Sequence, residues 1–212
     1  MQERLPLQPL TDSQREILEE AVSQFQGQVT RPIAQYLANR GIDQATATTF
    51  RLGVVGTEPP PGFDRYRGML AIPYLSHRGY PLTVRFRCLQ EHDHQEHYHG
   101  KYNTMPGDPA RIFNVAAVHG THDEIHVTEG ELDAVILSKI GLPAIALPGA
   151  SSWQWHWRKV LAGFNRVWVW GDPDDAGAQF TDKITRSLRQ AKPVRLSDGD
   201  VTETFDVLIY RL

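Results

Sequence analysis

The chain has 212 residues, 41% hydrophobic and 22% charged, with a formal net charge of −3, so it can bury a core as one large domain or two small ones and is not a generally basic nucleic-acid coat. It contains no apolar run of about 18 residues, and its start, Met1-Gln2-Glu3-Arg4, lacks the basic-then-apolar order of a signal peptide, so a cytoplasmic location with no membrane partner is expected. The single cysteine, Cys88, excludes an internal disulfide and any zinc ribbon of paired cysteines, and reads as a small buried hydrophobe.

In chain order, a helix is predicted from Thr11, with Ser13 and Glu16 as a capping box and Ile17, Leu18, Ala21, Val22 and Phe25 as its apolar face. Pro32 opens a second, short helix that Gly41 stops, and a third fills Gln44 to Phe50. Leu52 to Val55 reads as a strand. Met69 to Tyr74 and Leu82 to Arg87, separated by Ser76-His77-Arg78-Gly79, read as an antiparallel hairpin. This front part, 1–120, is a small α+β subdomain, and its segment from Arg65 to Arg111 is locally positive, with seven basic residues against four acids.

The remainder, 121–212, changes style. Strands are predicted at Ile125–Thr128, Ala144–Leu147, Arg166–Trp170 and Val194–Leu196. The helices between them run over Leu132–Ile140, from a Ser151 cap to Leu161, and along Ala176, Phe180, Ile184 and Leu188, with a last one beginning near Thr202. Such alternation predicts an α/β fold with a mainly parallel four-strand sheet flanked by helices. Glu129, Asp172, Asp174 and Asp200 all follow strands directly, hence lie on the carboxyl edge of the sheet, where ligands bind in open α/β folds.

A crevice lined with carboxylates suits a hard cation, and Mg²⁺ is usually held by a few carboxylates together with substrate phosphates. Pro173 stiffens the Asp172-x-Asp174 loop and Gly177 permits close backbone approach, so both aspartates can face one ion, while a neighbouring glutamate can move a proton. The competing structural reading makes Asp172 and Asp175 caps of the following helix, and Glu131 and Asp133 first-turn acids favoured by the helix dipole. Four histidines, His92, His94, His97 and His99, alternate with acids in the hairpin extension; with no cysteine expected to assist, a solvated tip is predicted over a zinc site. Trp153 and Trp157 are expected to share a face that packs on the sheet, with Trp155 turned away.

Glu129-Gly130-x-x-Asp133, the Pro148-Gly149 loop, Asp172-x-Asp174-x-Ala176-Gly177 and Asp200-Val201-Thr202-Glu203 together resemble the Toprim domain of DnaG-type primases, topoisomerases and certain nucleases. Tyr36-Leu37-x-x-Arg40-Gly41-Ile42, Phe50-Arg51-Leu52-Gly53, Arg67-Gly68, Arg87-Cys88-Leu89 and Lys101-Tyr102-x-Thr104-x-Pro106 resemble the N-terminal subdomain of the DnaG-type RNA polymerase core, and the likeness runs from Pro32 to Asp206. The resemblance implies a Rossmann-like catalytic domain in which Glu129 transfers a proton or touches metal and Asp172, Asp174 and Asp200 bind Mg²⁺ or Mn²⁺, with Asp133 in support. It implies a basic ridge of Arg67, Arg85, Arg87, Lys101 and Tyr102 for nucleotide and template. The expected activity is primer synthesis from ribonucleoside triphosphates on single-stranded DNA, with a replicative helicase or a separate template-recognition domain as partner. A Toprim nuclease and a non-catalytic DNA-binding accessory are the alternatives; a topoisomerase would need a tyrosine on a further large domain.

Overall fold

The computed structural model describes residues 9–94, 96–97, 99–148, 153–195 and 201. Helix α1 (Asp12–Gly27) starts two residues earlier than a Ser13 cap would place it: Thr11 is the extended cap residue, its hydroxyl accepting from Gln14 N at 3.2 Å while Gln14 Oε1 accepts from Thr11 N at 2.9 Å. The capping box is therefore Thr11–Gln14, and Ser13 lies inside the helix. Helices α2 (Arg31–Asn39) and α3 (Gln44–Thr49) follow, with Pro32 in the first turn of α2 as expected.

Strands β1 (Gly53–Val54), β2 (Leu70–Leu75), β3 (Pro81–Arg87) and β4 (Tyr102–Thr104) form an antiparallel sheet in that order. The short β4, which carries only three residues of alternating character, was not expected from the sequence. Period-two alternation on β3 divides the chemistry between its faces. Val84 and Phe86 join Ala21, Val22 and Phe25 of α1 in one apolar cluster. Arg85 and Arg87 point to the opposite face, paired in register with Ile72 and Leu70 of β2 and with Thr104 and Tyr102 of β4.

Strands β5 (Glu124–Thr128), β6 (Ala144–Ala146), β7 (Arg166–Trp170) and β8 (Ala191–Val194) form a parallel sheet in the order β6-β5-β7-β8, with helices α4 (Glu131–Lys139), α5 (Trp157–Leu161) and α6 (Asp175–Ser187) between them. Two predictions are corrected. The β8 strand ends at Val194 rather than beginning there; it contains Pro193, which argues against a strand interior but is tolerated here because β8 has no outer neighbour among the described residues. Helix α5 begins at Trp157, and the Ser151 cap, the final helix near Thr202 and Asp200 lie outside the described residues. Trp153 precedes the helix and so shares no helix face with Trp157, yet it packs edge-on to that buried ring at 6.3 Å, whereas Trp155 is 64% exposed beneath the Arg158 guanidinium.

The largest apolar cluster joins the two sheets: Leu37, Ile42, Leu70, Ile72 and Tyr74 from the front half pack with Leu132, Val135 and Ile136 of α4 and Ala144 and Ala146 of β6. Phe113, stacked on Phe50, belongs to the same cluster and makes an isolated antiparallel bridge to Ala146 on the outer side of β6, with N···O distances of 2.9 and 3.3 Å. The segment before residue 120 thus completes the edge of the parallel sheet.

Candidate active site

Neighbouring strands β5 and β7 end in register at Thr128 and Trp170, so Glu129 and Asp172 emerge side by side. Thr128 Oγ1 donates to Gly130 O at 2.8 Å and holds the turn into α4. A Cβ on Gly130 would sit 2.4 Å from Asp133 Oδ2, so the glycine leaves room for the Asp133 carboxylate to fold back over the start of its own helix. The second loop is as tight. A Cβ on Gly177 would fall 2.1 Å from Asp172 O, and one on Gly171 would fall 2.4 Å from Gly177 O, so both glycines let the first turn of α6 press against the strand end that presents Asp172.

These loops line a cavity of about 210 Å³ whose acidic side is Glu129, Glu131, Asp133 and Asp172 and whose basic side is Arg40, Arg85, Arg87 and Lys101, with Tyr102 between them. Larger hollows of about 490 Å³ near α3 and about 570 Å³ beside α2 bring no two carboxylates together. The sequence-predicted residues separate as follows. Glu129, Asp133 and Asp172 share the cavity with Arg85, Arg87, Lys101 and Tyr102. Asp174 is not in its wall; it is the N-cap of α6, its Oδ1 accepting from Gly177 N at 2.8 Å. The helix cap is thus Asp174, not Asp172 or Asp175. Arg67 also stands apart, bonded to Thr57 O at 2.9 Å and to the Asp64 carboxylate.

Arg85 and Glu131 take roles that the sequence did not suggest. Glu131, only 1% exposed, accepts from Arg85 Nη1 at 2.6 Å and from Tyr74 Oη at 2.7 Å, an ion pair that joins β3 and β2 of one sheet to α4 of the other. Burial opposes the Arg85 charge, but the Glu131 carboxylate and Tyr74 together outweigh it and raise the guanidinium pKa; burial, then Glu131, pushes Tyr74 well above its ordinary value. The Arg85 charge is therefore used inside the fold, and the basic ridge is narrower than expected. Arg40, which the sequence offered only as part of a motif, joins it. Arg87 donates to Tyr102 Oη and its guanidinium lies 5.0 Å from that ring, fixing both side chains against the cavity; Tyr102 is held above its usual pKa mainly by burial.

Beneath the acidic edge, buried His126 of β5 accepts at Nδ1 from Trp170 Nε1 of β7 at 2.9 Å. Burial lowers its pKa from 6.5 to about 4, against the opposing charge of Glu124. A depressed histidine stabilises the fold above the unfolded value of 6.5, and this contribution is lost as pH falls towards 4. Between pH 7 and pH 5 the native protein is expected to lose about 2 kcal/mol through this group. In urea unfolding, His126→Gln should lose that much less over the same interval; equal losses in parent and variant would mean that His126 does not titrate in this range.

The combination of a four-stranded antiparallel sheet with a helix-flanked parallel sheet is the fold of DnaG-type primase catalytic cores. The primase of Aquifex aeolicus superimposes with a TM-score of 0.75 at 20% identity over 96% of this chain, the RNA polymerase domain of Mycobacterium tuberculosis DnaG in complex with double-stranded DNA with 0.72 at 18% over 93%, and the primase fragment of the bacteriophage T7 primase-helicase with 0.61 at 18% over 87%. The chain spans 60% of the Aquifex protein, 80% of the mycobacterial one and 75% of the T7 fragment. No family model matches it. Within this fold the chain belongs to the family of the gene 57 protein of Mycobacterium phage D29, to which it is 32% identical over 139 residues, 64% of this chain and 88% of that protein. Among the described residues no helix is long and apolar enough to cross a membrane.

Proposed function

We propose that this chain is a DNA primase catalytic core that makes short RNA primers on single-stranded DNA from ribonucleoside triphosphates by divalent-metal-dependent nucleotidyl transfer. The observation that carries the reading is the meeting, in one cavity on a primase-core fold, of a carboxylate side from one sheet and a basic side from the other. The donor set fits Mg²⁺ or Mn²⁺, which take oxygen ligands from carboxylates and leave positions for phosphates. Glu129 and Asp172 would hold the ion, with Asp133 in support; Asp174 and Asp200 complete the proposed set. When bound, the ion supplies positive charge to the triphosphate and lowers the pKa of the attacking hydroxyl.

The protein's own residues do the rest. Lys101, Arg87 and Arg40 face the carboxylates and neutralise a triphosphate drawn between them. Tyr102, clamped by Arg87, limits where the nucleotide can lie. The 3′-oxygen of the primer end forms a bond to the α-phosphorus while the bond to the β-phosphate oxygen breaks, releasing pyrophosphate, and Glu129 is the group placed to accept the 3′-hydroxyl proton. Similar primase domains have been seen with single-stranded and double-stranded DNA, which supports a DNA partner here. A replicative helicase or a separate template-recognition domain is the further proposed partner.

The decisive assay supplies single-stranded DNA, labelled ribonucleotides and Mg²⁺ or Mn²⁺. Template-dependent short RNA is expected; cleavage of the DNA would identify a nuclease, and DNA binding with neither product would identify an accessory protein. Lys101→Ala provides a finer check. Losing one phosphate contact should reduce the salt slope of DNA binding by about 1 while changing stability by no more than about 0.5 kcal/mol. Unchanged binding and slope would remove Lys101 from the ridge.

A further inference from the structure

The connection between β3 and β4 does not form the solvated tip expected from its composition. Cys88, at the end of β3, is 7% exposed, and the chain beyond it folds back so that the thiol and ligand nitrogens of His92, His94 and His99 all lie within 4.8 Å of one another. The sulfur is 3.7 Å from His92 Nε2. The neck of the loop is closed by Cys88 N donating to Lys101 O at 2.9 Å, and its interior by His99 N donating to His94 O at 3.1 Å.

We propose that Cys88, His92, His94 and His99 form a structural zinc site, separate from the acidic cavity. In a tetrahedral site with Zn–S of about 2.3 Å and Zn–N of about 2.0–2.1 Å, neighbouring donors stand about 3.3–3.6 Å apart, so the observed spacing needs only a small contraction. One thiolate and three imidazoles are a closed, borderline-soft set that suits Zn²⁺ and not a hard cation such as Mg²⁺. Two further observations point to a ligand. His94 Nδ1 is buried with no hydrogen-bond partner. His99 Nδ1 lies 3.0 Å from Gly100 O, and a proton donated there leaves Nε2 as the lone-pair nitrogen, the orienting contact that metal-bound histidines usually have. The cluster is also poorly explained without an ion. The His92 ring centre is 4.7 Å from that of His94 and 5.0 Å from that of His99, so their cations would repel, whereas a shared metal turns the crowding into binding.

The site has a structural consequence. The loop leaves β3 just after Arg87 and returns just before Lys101 and Tyr102, so zinc would fix the connection beside these three cavity residues at the ends of β3 and β4. Its formation does not depend on the primase reading, and the test reads metal rather than synthesis. The full chain, purified without a histidine tag and stripped of metal, is titrated with Co²⁺ and then Zn²⁺. A thiolate-to-cobalt charge-transfer band with tetrahedral visible absorption is expected, displaced by about one equivalent of zinc, together with a rise in melting temperature. His94→Ala/His99→Ala should lower zinc affinity at least about 100-fold and abolish that rise. Asp172→Asn should keep the charge-transfer band, which separates this site from the acidic cavity. Cobalt binding without thiolate absorption, no zinc-dependent stabilisation of the parent, or equal zinc affinity in parent and double variant would each overturn the assignment.

Discussion

Asp172→Asn is expected to lower primer synthesis at least about 100-fold while leaving the protein folded. Glu129, Asp133 and Asp172 share one small cavity with Arg40, Arg87 and Lys101, so neutralising Asp172 removes a proposed metal ligand and leaves the basic wall in place. Asparagine keeps the shape and removes one charged oxygen, so the ion binds more weakly and stabilises the fold less. Addition of Mg²⁺ or Mn²⁺ should therefore stabilise the parent more than the variant. Asp174→Asn makes a useful partner experiment. Its Oδ1 caps α6 through Gly177 N, and asparagine is as good a cap as aspartate, so the fold should be unaffected and any loss of synthesis would report on chemistry alone. Near-normal primer yield from Asp172→Asn would remove it from the metal site, as would equal stabilisation of parent and variant by the ion.

The second large effect is on stability. Arg85→Met and Glu131→Gln should each cost about 3–5 kcal/mol, because each breaks a buried ion pair and Arg85→Met leaves a carboxylate without its cation. Tyr74 cannot rescue Glu131: its hydroxyl already donates to the same oxygen, Oε1, that accepts from Arg85. The combined variant Arg85→Met/Glu131→Leu, which removes both charges and keeps apolar volume, should recover most of the loss, as replacing a whole buried pair usually costs little. Urea unfolding of the three proteins checks this. Single-variant losses below about 1 kcal/mol would mean that water screens the pair and that Arg85 is available to a ligand after all.

The parallel sheet, the hairpin and the adjacency of Glu129 and Asp172 were legible because they depend on local signals: strand and helix alternate, and acids follow strands directly. The buried role of Glu131 was not. At the first turn of a helix it looks like any acid favoured by the dipole, and only the approach of β2 and β3, more than 40 residues away, covers it. The same holds for Cys88. Its immediate neighbours mark it as a small core residue, and nothing local shows the chain doubling back to place His92, His94 and His99 beside its sulfur. The helix cap was assigned to the wrong neighbours, since Asp172, Asp174 and Asp175 can all start a helix here, and the choice falls to Asp174, whose backbone is extended and whose side chain meets Gly177 N. The displaced β8 reflects Pro193, which the chain accommodates by using it on the outermost of the described strands.

The bridge between Phe113 and Ala146 bears on where this protein can be divided. A parallel sheet cut loose at residue 121 would leave the outer side of β6 with unpaired backbone groups, and Ala144 and Ala146 without the aromatic ring and front-sheet side chains that cover them. Such an exposed strand is a template for pairing with other chains. The carboxylate half therefore depends on residues that precede it for its solubility as well as for its basic partner wall.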